Sequence, residues 1–264
     1  MAVDLDASAV KAPQDRPVEL NGLRWSTYRA IIQDVGDAQP LRARYDQGSL
    51  GLGTSVLYGI RWSTFEALLD DLGEHRGVRL SYDQGRLEFM SPHDPHESWK
   101  GRVGRMIESL TFELRIPIKS GGSTTLKRPD LGKGVEPDEC YWIAREPEVG
   151  GRKNLDFATD PVPDLALEVD VTHSSSPNLK IHAALGVPEV WRLVDESLLI
   201  YQLQADGTYA TRPDSPGLPG LRAADVGRFL RRGDEIDETS LMYEFRDWVR
   251  DEVLPRRRDA VDPA

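Results

Sequence analysis

The spacing of apolar residues changes period along the chain, and each change marks an element. Phe65, Leu68, Leu69 and Leu72 recur at helical spacing behind Ser63 or Thr64, either of which can cap, and Gly73 ends the run. Val78, Leu80 and Tyr82 alternate as a strand, Asp83-Gln84-Gly85 supplies a turn, and Leu87-Glu88-Phe89 starts a returning strand. Asp94 and Pro95 suit the cap and first position of a longer helix. Its apolar stripe is Trp99, Val103, Met106, Ile107, Leu110 and Leu114, and Pro117 ends it. Strands are predicted over 123–127, 135–144 and 165–172, with a polar loop over 145–163. Ser176 and Pro177 open a helix that closes at Gly186, followed by strands over 190–194 and 198–203 around an Asp195-Glu196 turn. After a Pro/Gly-rich loop over 212–220, helices are predicted at 222–231 and 238–253, and the tail from Pro255 as disordered. From residue 94 the order is helix, three strands, helix, strand. That order predicts an α/β (α+β) fold, with a mixed β-sheet flanked by helices.

The N-terminal pattern occurs twice. Residues 22–51 and 59–88 align without a gap at an offset of 37, identical at fourteen of thirty positions, including Arg-Trp-Ser-Thr and Tyr-Asp-Gln-Gly. This is a duplication, and two copies are too few for a solenoid. It reads as a structural unit rather than a binding site.

Two of the predicted strands carry acids. In Leu-Ala-Leu-Glu-Val-Asp-Val-Thr, Glu168 and Asp170 share one face, opposite Leu165, Leu167, Val169 and Val171. If the strand is central, two buried anions repel unless a cation or a proton joins them. An edge strand with a wet face is the alternative. Asp138 follows Pro137 within the second run, where a bulge or strand end is expected. A plain Pro-Asp turn is the alternative there. Oxygen ligands on successive strands suit Mg²⁺ or Mn²⁺, and a metal so held can activate water on a phosphodiester. His96, in register with Trp99 and Val103, is either a buried structural histidine or part of the site. Glu97 is either a capping-box acid or a rim residue.

Composition narrows the partners. The 264 residues carry 33 Lys plus Arg against 44 Asp plus Glu, a net charge of −11, so bulk charge does not hold nucleic acid. Residues 100–133 depart from this: eight cations against three acids give +5, a candidate patch for a phosphate backbone. A solvated helix face is the alternative reading. The single cysteine, Cys140, allows no intramolecular disulfide and no cysteine zinc site. No secretory signal and no run long enough for a bilayer is evident, which gives a cytoplasmic expectation.

The stretches HESWKGRVGRMIESL, GSTTLKR, GVEPDECYWI, PDLALEVDVT and AALGVPEVWRLV, in that order, resemble the Uma-two family of restriction-endonuclease-like proteins. That family lies within the PD-(D/E)XK nuclease superfamily. The resemblance implies a restriction-endonuclease-like core and a Mg²⁺-dependent endonuclease acting on DNA. It carries over Asp138 and Glu168 as metal-binding acids, with Asp170 where the superfamily usually has lysine. The family's displaced lysine position, eight residues before Gly186, is Asn178 here, and the nearest cation is Lys180. His182 stands where the family usually has tyrosine. The expected site is therefore Asp138, Glu168, Asp170 and Lys180, with His96 or Glu97 at its rim. A nuclease fold without catalysis, binding nucleic acid or a protein, is the second expectation, and a homodimer follows from fold-level analogy. The expected organisation is a flexible 1–21, an extra repeat copy over 22–57, a core over 58–210, a helical extension over 211–254 and a disordered 255–264.

Overall fold

The computed structural model of the chain describes residues 17–36, 39–73, 77–90, 94–170, 176–194 and 196–261, apart from the side chains of 94–96, 176–177 and 258–261. The elements run β1 (Val18–Asn21), α1 (Trp25–Val35), β2 (Ala43–Asp46), β3 (Ser49–Leu52), β4 (Val56–Leu57), α2 (Trp62–Leu72), β5 (Arg79–Asp83) and β6 (Arg86–Met90). Then come α3 (Asp94–Leu114), β7 (Lys119–Ser120), β8 (Leu126–Arg128), β9 (Lys133–Val135), β10 (Glu139–Trp142), α4 (Glu146–Val149), β11 (Leu165–Asp170) and α5 (Ser176–Leu185). Last are β12 (Glu189–Val194), β13 (Ser197–Leu203), β14 (Tyr209–Arg212), α6 (Ala223–Arg232), α7 (Glu238–Trp248) and α8 (Leu254–Val261).

These elements form two compact units, Met1–Pro92 with Lys127–Glu136, and His93–Leu126 with Pro137–Ala264. Both repeat copies lie in the first unit. Each unit has its own apolar cluster. Among the described residues, no helix is long and apolar enough to cross a membrane.

In the first unit the duplication becomes a local pseudo-symmetry. Copy one forms a sheet ordered β1-β3-β2. Copy two repeats it as β4-β6-β5 and continues to β9 and β8. The hairpin turns match: Gln47 and Gly48 have φ 47 and 92, and Gln84 and Gly85 have φ 47 and 98. Both central residues at positive φ make the two-residue turn that suits strand twist. Helices α1 and α2 have Arg24 and Arg61 at the N-cap, the latter two residues before the expected Ser63, and no side-chain cap on either. The Ser-Thr pairs lie inside the first turn instead.

Each copy supplies what the other lacks. Asp71 of α2 accepts the backbone N–H of Arg24 at 2.8 Å and pairs with its guanidinium. Asp34 of α1 does the same for Arg61, at 2.9 and 2.5 Å. Both carboxylates are nearly fully buried. An anion at a helix start also opposes the positive end of its dipole. The reciprocal pattern is that of an isologous interface folded into one chain.

In the second unit a six-stranded sheet runs β14-β13-β12-β11-β10-β7. β11 and β12 are parallel and every other pair is antiparallel. A parallel pair needs a crossover, and α5 supplies it. Leu165, Leu167 and Val169 of β11 join Trp191 and Leu193 of β12 in the core, with Val103, Met106, Ile107 and Leu110 of α3. Helices α6 and α7 add Phe229 and Phe245, whose rings meet edge-on at 4.9 Å.

The strand expected over 135–144 is two strands in different units. β9 ends at Val135, β10 starts at Glu139, and Pro137, which has no N–H to give a ladder, sits in the gap. Of the other expectations, β1 orders Val18–Asn21 and α8 continues the tail as helix to Val261, so neither segment is wholly without structure. Residues 1–16 and 262–264 lie outside the described residues.

Replacing Asp34 or Asp71 with Ala is expected to cost about 1–2 kcal/mol each, because a cap and a buried acceptor are lost together. Urea denaturation checks this. Unchanged midpoints in both variants would show that the reciprocal pairing does not stabilise the first unit.

Candidate functional site

Alternation along β11 buries Leu165, Leu167 and Val169 on one side and Ala166, Glu168 and Asp170 on the other. Both acids are 3% exposed, so the strand is central and not a wet edge. β10 pairs antiparallel with β11 through Glu139 opposite Leu167, and Asp138 immediately precedes that pair. Asp138 is 1% exposed. Its backbone N–H donates to Leu167 at 3.0 Å, and its carboxylate accepts the N–H of Val169 at 2.6 Å. The gap after Pro137 is what frees this acid to reach a backbone donor on the neighbouring strand.

On the other side of β11, Glu168 is opposite Arg192 of β12. The Arg192 guanidinium reaches Asp170 at 2.5 Å. An acidic cluster met by one guanidinium thus lies along β11. Helix α5 covers it. Asn178 and His182, four residues apart, share one helical face. Asn178 Nδ2 donates to Glu168 at 3.4 Å, and His182 Nε2 lies 2.6 Å from the other carboxylate oxygen. His182 is fully buried, and its Nδ1 has no hydrogen-bond partner among the described residues. A proton on Nε2 donated to Glu168 leaves only an acceptor unmatched on the ring. A buried unmatched N–H would cost more.

Burial is the main cause that pushes the Glu168 carboxyl above the usual carboxylate range. The His182 hydrogen bond opposes the shift, and the charge of Asp138 adds to it. Cys140, on β10, is also buried, and desolvation raises its thiol far above the range of a reactive thiolate, so it is not a nucleophile.

The expected residues fare differently. Asp138 and Glu168 come together. Asp170 is on the same face, but its charge is met by Arg192. Lys180 does not reach the acids: it is exposed, two positions from Asn178, or about 200° around the helix. Asn178 and His182 hold the place beside Glu168 instead. Glu97 is half exposed in the first helical turn, 3.9 Å from Lys100. His96 is in α3, and its side chain lies outside the described residues, as do residues 171–175 after Asp170. Sequence reading passed over His182 and Arg192 as participants. His182 was visible four residues from Asn178, whereas Arg192 needed the β11–β12 register.

The predicted basic patch is largely matched by local acids. Arg102 pairs with Asp234 at 2.7 Å and Arg105 with Glu238. Lys127 pairs with Glu66 at 3.3 Å, Arg128 with Asp130 at 2.6 Å, and Lys133 with Asp83. Lys119 donates to the backbone oxygens of Val149 and Arg152. The +5 stretch is also divided between the two units.

The donor set fits a hard divalent cation in part. Among the described residues, no three or more His, Cys, Asp or Glu groups are arranged to hold a metal. Two carboxylates suffice for Mg²⁺, which keeps several waters. Asp138 and Glu168 supply that pair, with Asp170 engaged elsewhere.

A carboxyl raised by burial contributes stability below its unfolded value, near 4.5, and loses it as pH rises through the folded value. Glu168→Gln is therefore expected to compare more favourably with the parent protein at pH 8 than at pH 4, in chelator. Urea melts at both values check the sign. An equal difference at both would remove the desolvation reading.

Comparison with known proteins adds to this geometry. The family model described as Uma2, "Putative restriction endonuclease", matches residues 62–231. No curated protein is matched. Among solved structures, a chain titled as a putative nuclease belonging to DUF820, from Anabaena variabilis ATCC 29413, aligns at 16% identity with a TM-score of 0.43. The alignment covers 61% of this chain and 97% of that one. The family match spans well over half of the chain, takes in most of the second repeat copy together with Asp138 and Glu168, and leaves the first copy outside. The chain therefore belongs to the Uma2 restriction-endonuclease family.

Proposed function

We propose that the protein is a metal-dependent endonuclease that hydrolyses phosphodiester bonds of DNA. The observation that carries this is the buried Asp138–Glu168 pair, two desolvated carboxylates on adjacent strands, in a chain of a restriction-endonuclease family. Like charges so close and so dry are stabilised by a cation between them. Asp138 and Glu168 would hold Mg²⁺ or Mn²⁺, which supplies activation of water and stabilisation of phosphate charge when bound. Val169 N–H orients the Asp138 carboxylate, and His182 and Asn178 orient Glu168. Arg192 pairs with Asp170, so the third acid of the cluster has its own partner.

A second reading has its own support. Lys180 is exposed, and Asn178 is where the family resemblance places a lysine. A nuclease fold that binds nucleic acid or protein without cleavage agrees with both observations.

Incubation of the protein with plasmid DNA and Mg²⁺ or Mn²⁺ separates the two. Cleavage is expected, and Asp138→Ala and Glu168→Ala are expected to lower its rate by about a hundredfold or more. Cleavage that survives both substitutions would sink the site assignment. Absence of cleavage, with no metal-dependent rise in melting temperature, favours the binding reading.

Asn178→Lys places an ammonium beside Glu168 and tests the departure directly. A gain of cleavage in an otherwise inactive protein is expected if the missing cation alone limits catalysis. An unchanged rate shows that the family's lysine position is not what limits this chain.

A further inference from the structure

The two repeat copies differ in what lies along their sheet edge. In copy two, β9 pairs along β5 with Gly134 opposite Tyr82 and Lys133 opposite Asp83. The Gln84 N–H donates to Gly132 at 2.9 Å, and Glu136 N–H donates to Leu80 at 3.2 Å. Glycine is needed at 134, because a Cβ there would come within 2.9 Å of the Phe65 ring. Phe65 stacks on Tyr82 at 4.9 Å, and Trp62 meets both rings edge-on. Lys133 pairs with Asp83, and Lys127 with Glu66.

Copy one carries the same platform without the strand. Tyr28 stacks on Tyr45 at 4.8 Å, and Trp25 meets these rings at 5.0 and 5.2 Å. These residues match Phe65, Tyr82 and Trp62 at the offset of 37. β2 is nevertheless the edge of its sheet, with no strand beyond it among the described residues. Trp25 is 56% exposed, and Tyr28 and Tyr45 are half-buried, where Phe65 and Tyr82 are buried. A hollow of about 340 Å³ lies against Trp25, Tyr28, Arg29, Ile32 and Gln33. By the same offset, Ala43, Tyr45 and Gln47 direct their backbone groups to the open edge.

We propose that the β2 edge and the Trp25–Tyr28–Tyr45 platform dock one extended strand of a partner protein. That strand carries glycine opposite Tyr45 and a lysine or arginine just before it, opposite Asp46. Its main chain would satisfy the open edge, and the glycine and the cation would set specificity. The occupied copy shows why. A side chain in place of the glycine meets the aromatic ring, and the acid that would face the cation is already there. Asp46 is largely exposed, and Arg44 approaches it only to 4.0 Å. Arg29 replaces Glu66, which Lys127 of the next strand, β8, meets in copy two, so a carboxylate and not a second lysine suits the partner segment beyond the docked strand. Residues 1–16 contain no glycine, the residue that this strand requires opposite Tyr45.

The test uses the full chain and a fluorescent peptide with the sequence of residues 126–136 carrying Lys127→Glu. Saturable binding by anisotropy is expected. Gly134→Val in the peptide should weaken it by about tenfold or more. Asp46→Lys in the chain, an exposed position, should weaken it by about fivefold, and Lys133→Glu in the peptide should restore it. No binding, a valine peptide that binds as well, or an Asp46→Lys chain that behaves as the parent overturns the proposal. A dimer in sedimentation that Asp46→Lys dissociates also overturns it, since the occupant is then a second copy of this chain.

Discussion

Two carboxylates, Asp138 just before β10 and Glu168 on β11, have almost no contact with water, and the second unit is arranged around that charge. Removing an ionised group from water costs several kcal/mol even after the protein relaxes, so each must be answered. Asp138 is answered by a backbone N–H of β11, and Glu168 by two side chains of α5. Asp170 is answered by a guanidinium of β12. Four elements are thereby tied to one polar layer. The crossover helix that parallel pairing of β11 and β12 demands is also what roofs the acids. The desolvation that makes Glu168 costly is therefore also the constraint that fixes the helix and strands around it.

The first unit solves a different problem. Neither copy of the repeat can cap its own helix, because the chain enters each helix through an arginine with an extended backbone. The acid that secures that entry comes from the other copy, in both directions. Duplication therefore produced a pair that complete each other and not two independent modules. The pair is not fully symmetric. Copy two receives β9 over its aromatic platform, and copy one keeps the same platform at an open edge. Shared sequence set the shared surface, and a segment from far along the chain covered only one of the two.

Much of this was legible beforehand. The helices of α3 and α5, the β11 alternation and the repeat followed from local periodicity and from turn chemistry. Those signals depend only on neighbouring residues. Asp138 and Glu168 were legible because alternation places acids on one face and proline marks the break that frees the other. Lys180 was misleading, because a cation near in sequence lies on the wrong side of a helix. The basic stretch over 100–133 misled for a related reason. Counting charge along the chain ignores the acids of distant segments, such as Asp234 and Glu238, that fold against it.

The sequence by itself determined the period of each element, the duplication, the acidic pair and the resemblance that names its family. Those follow from residue order and local sterics. Only the tertiary structure decided that one apolar run is two strands in separate units, parted at Pro137, and that the repeat copies cap each other. It also decided that His182 and Arg192, rather than Lys180, stand beside the acids. Each of these rests on register or on packing between distant segments. Such contacts are set by which buried charges and ring faces must find partners in three dimensions.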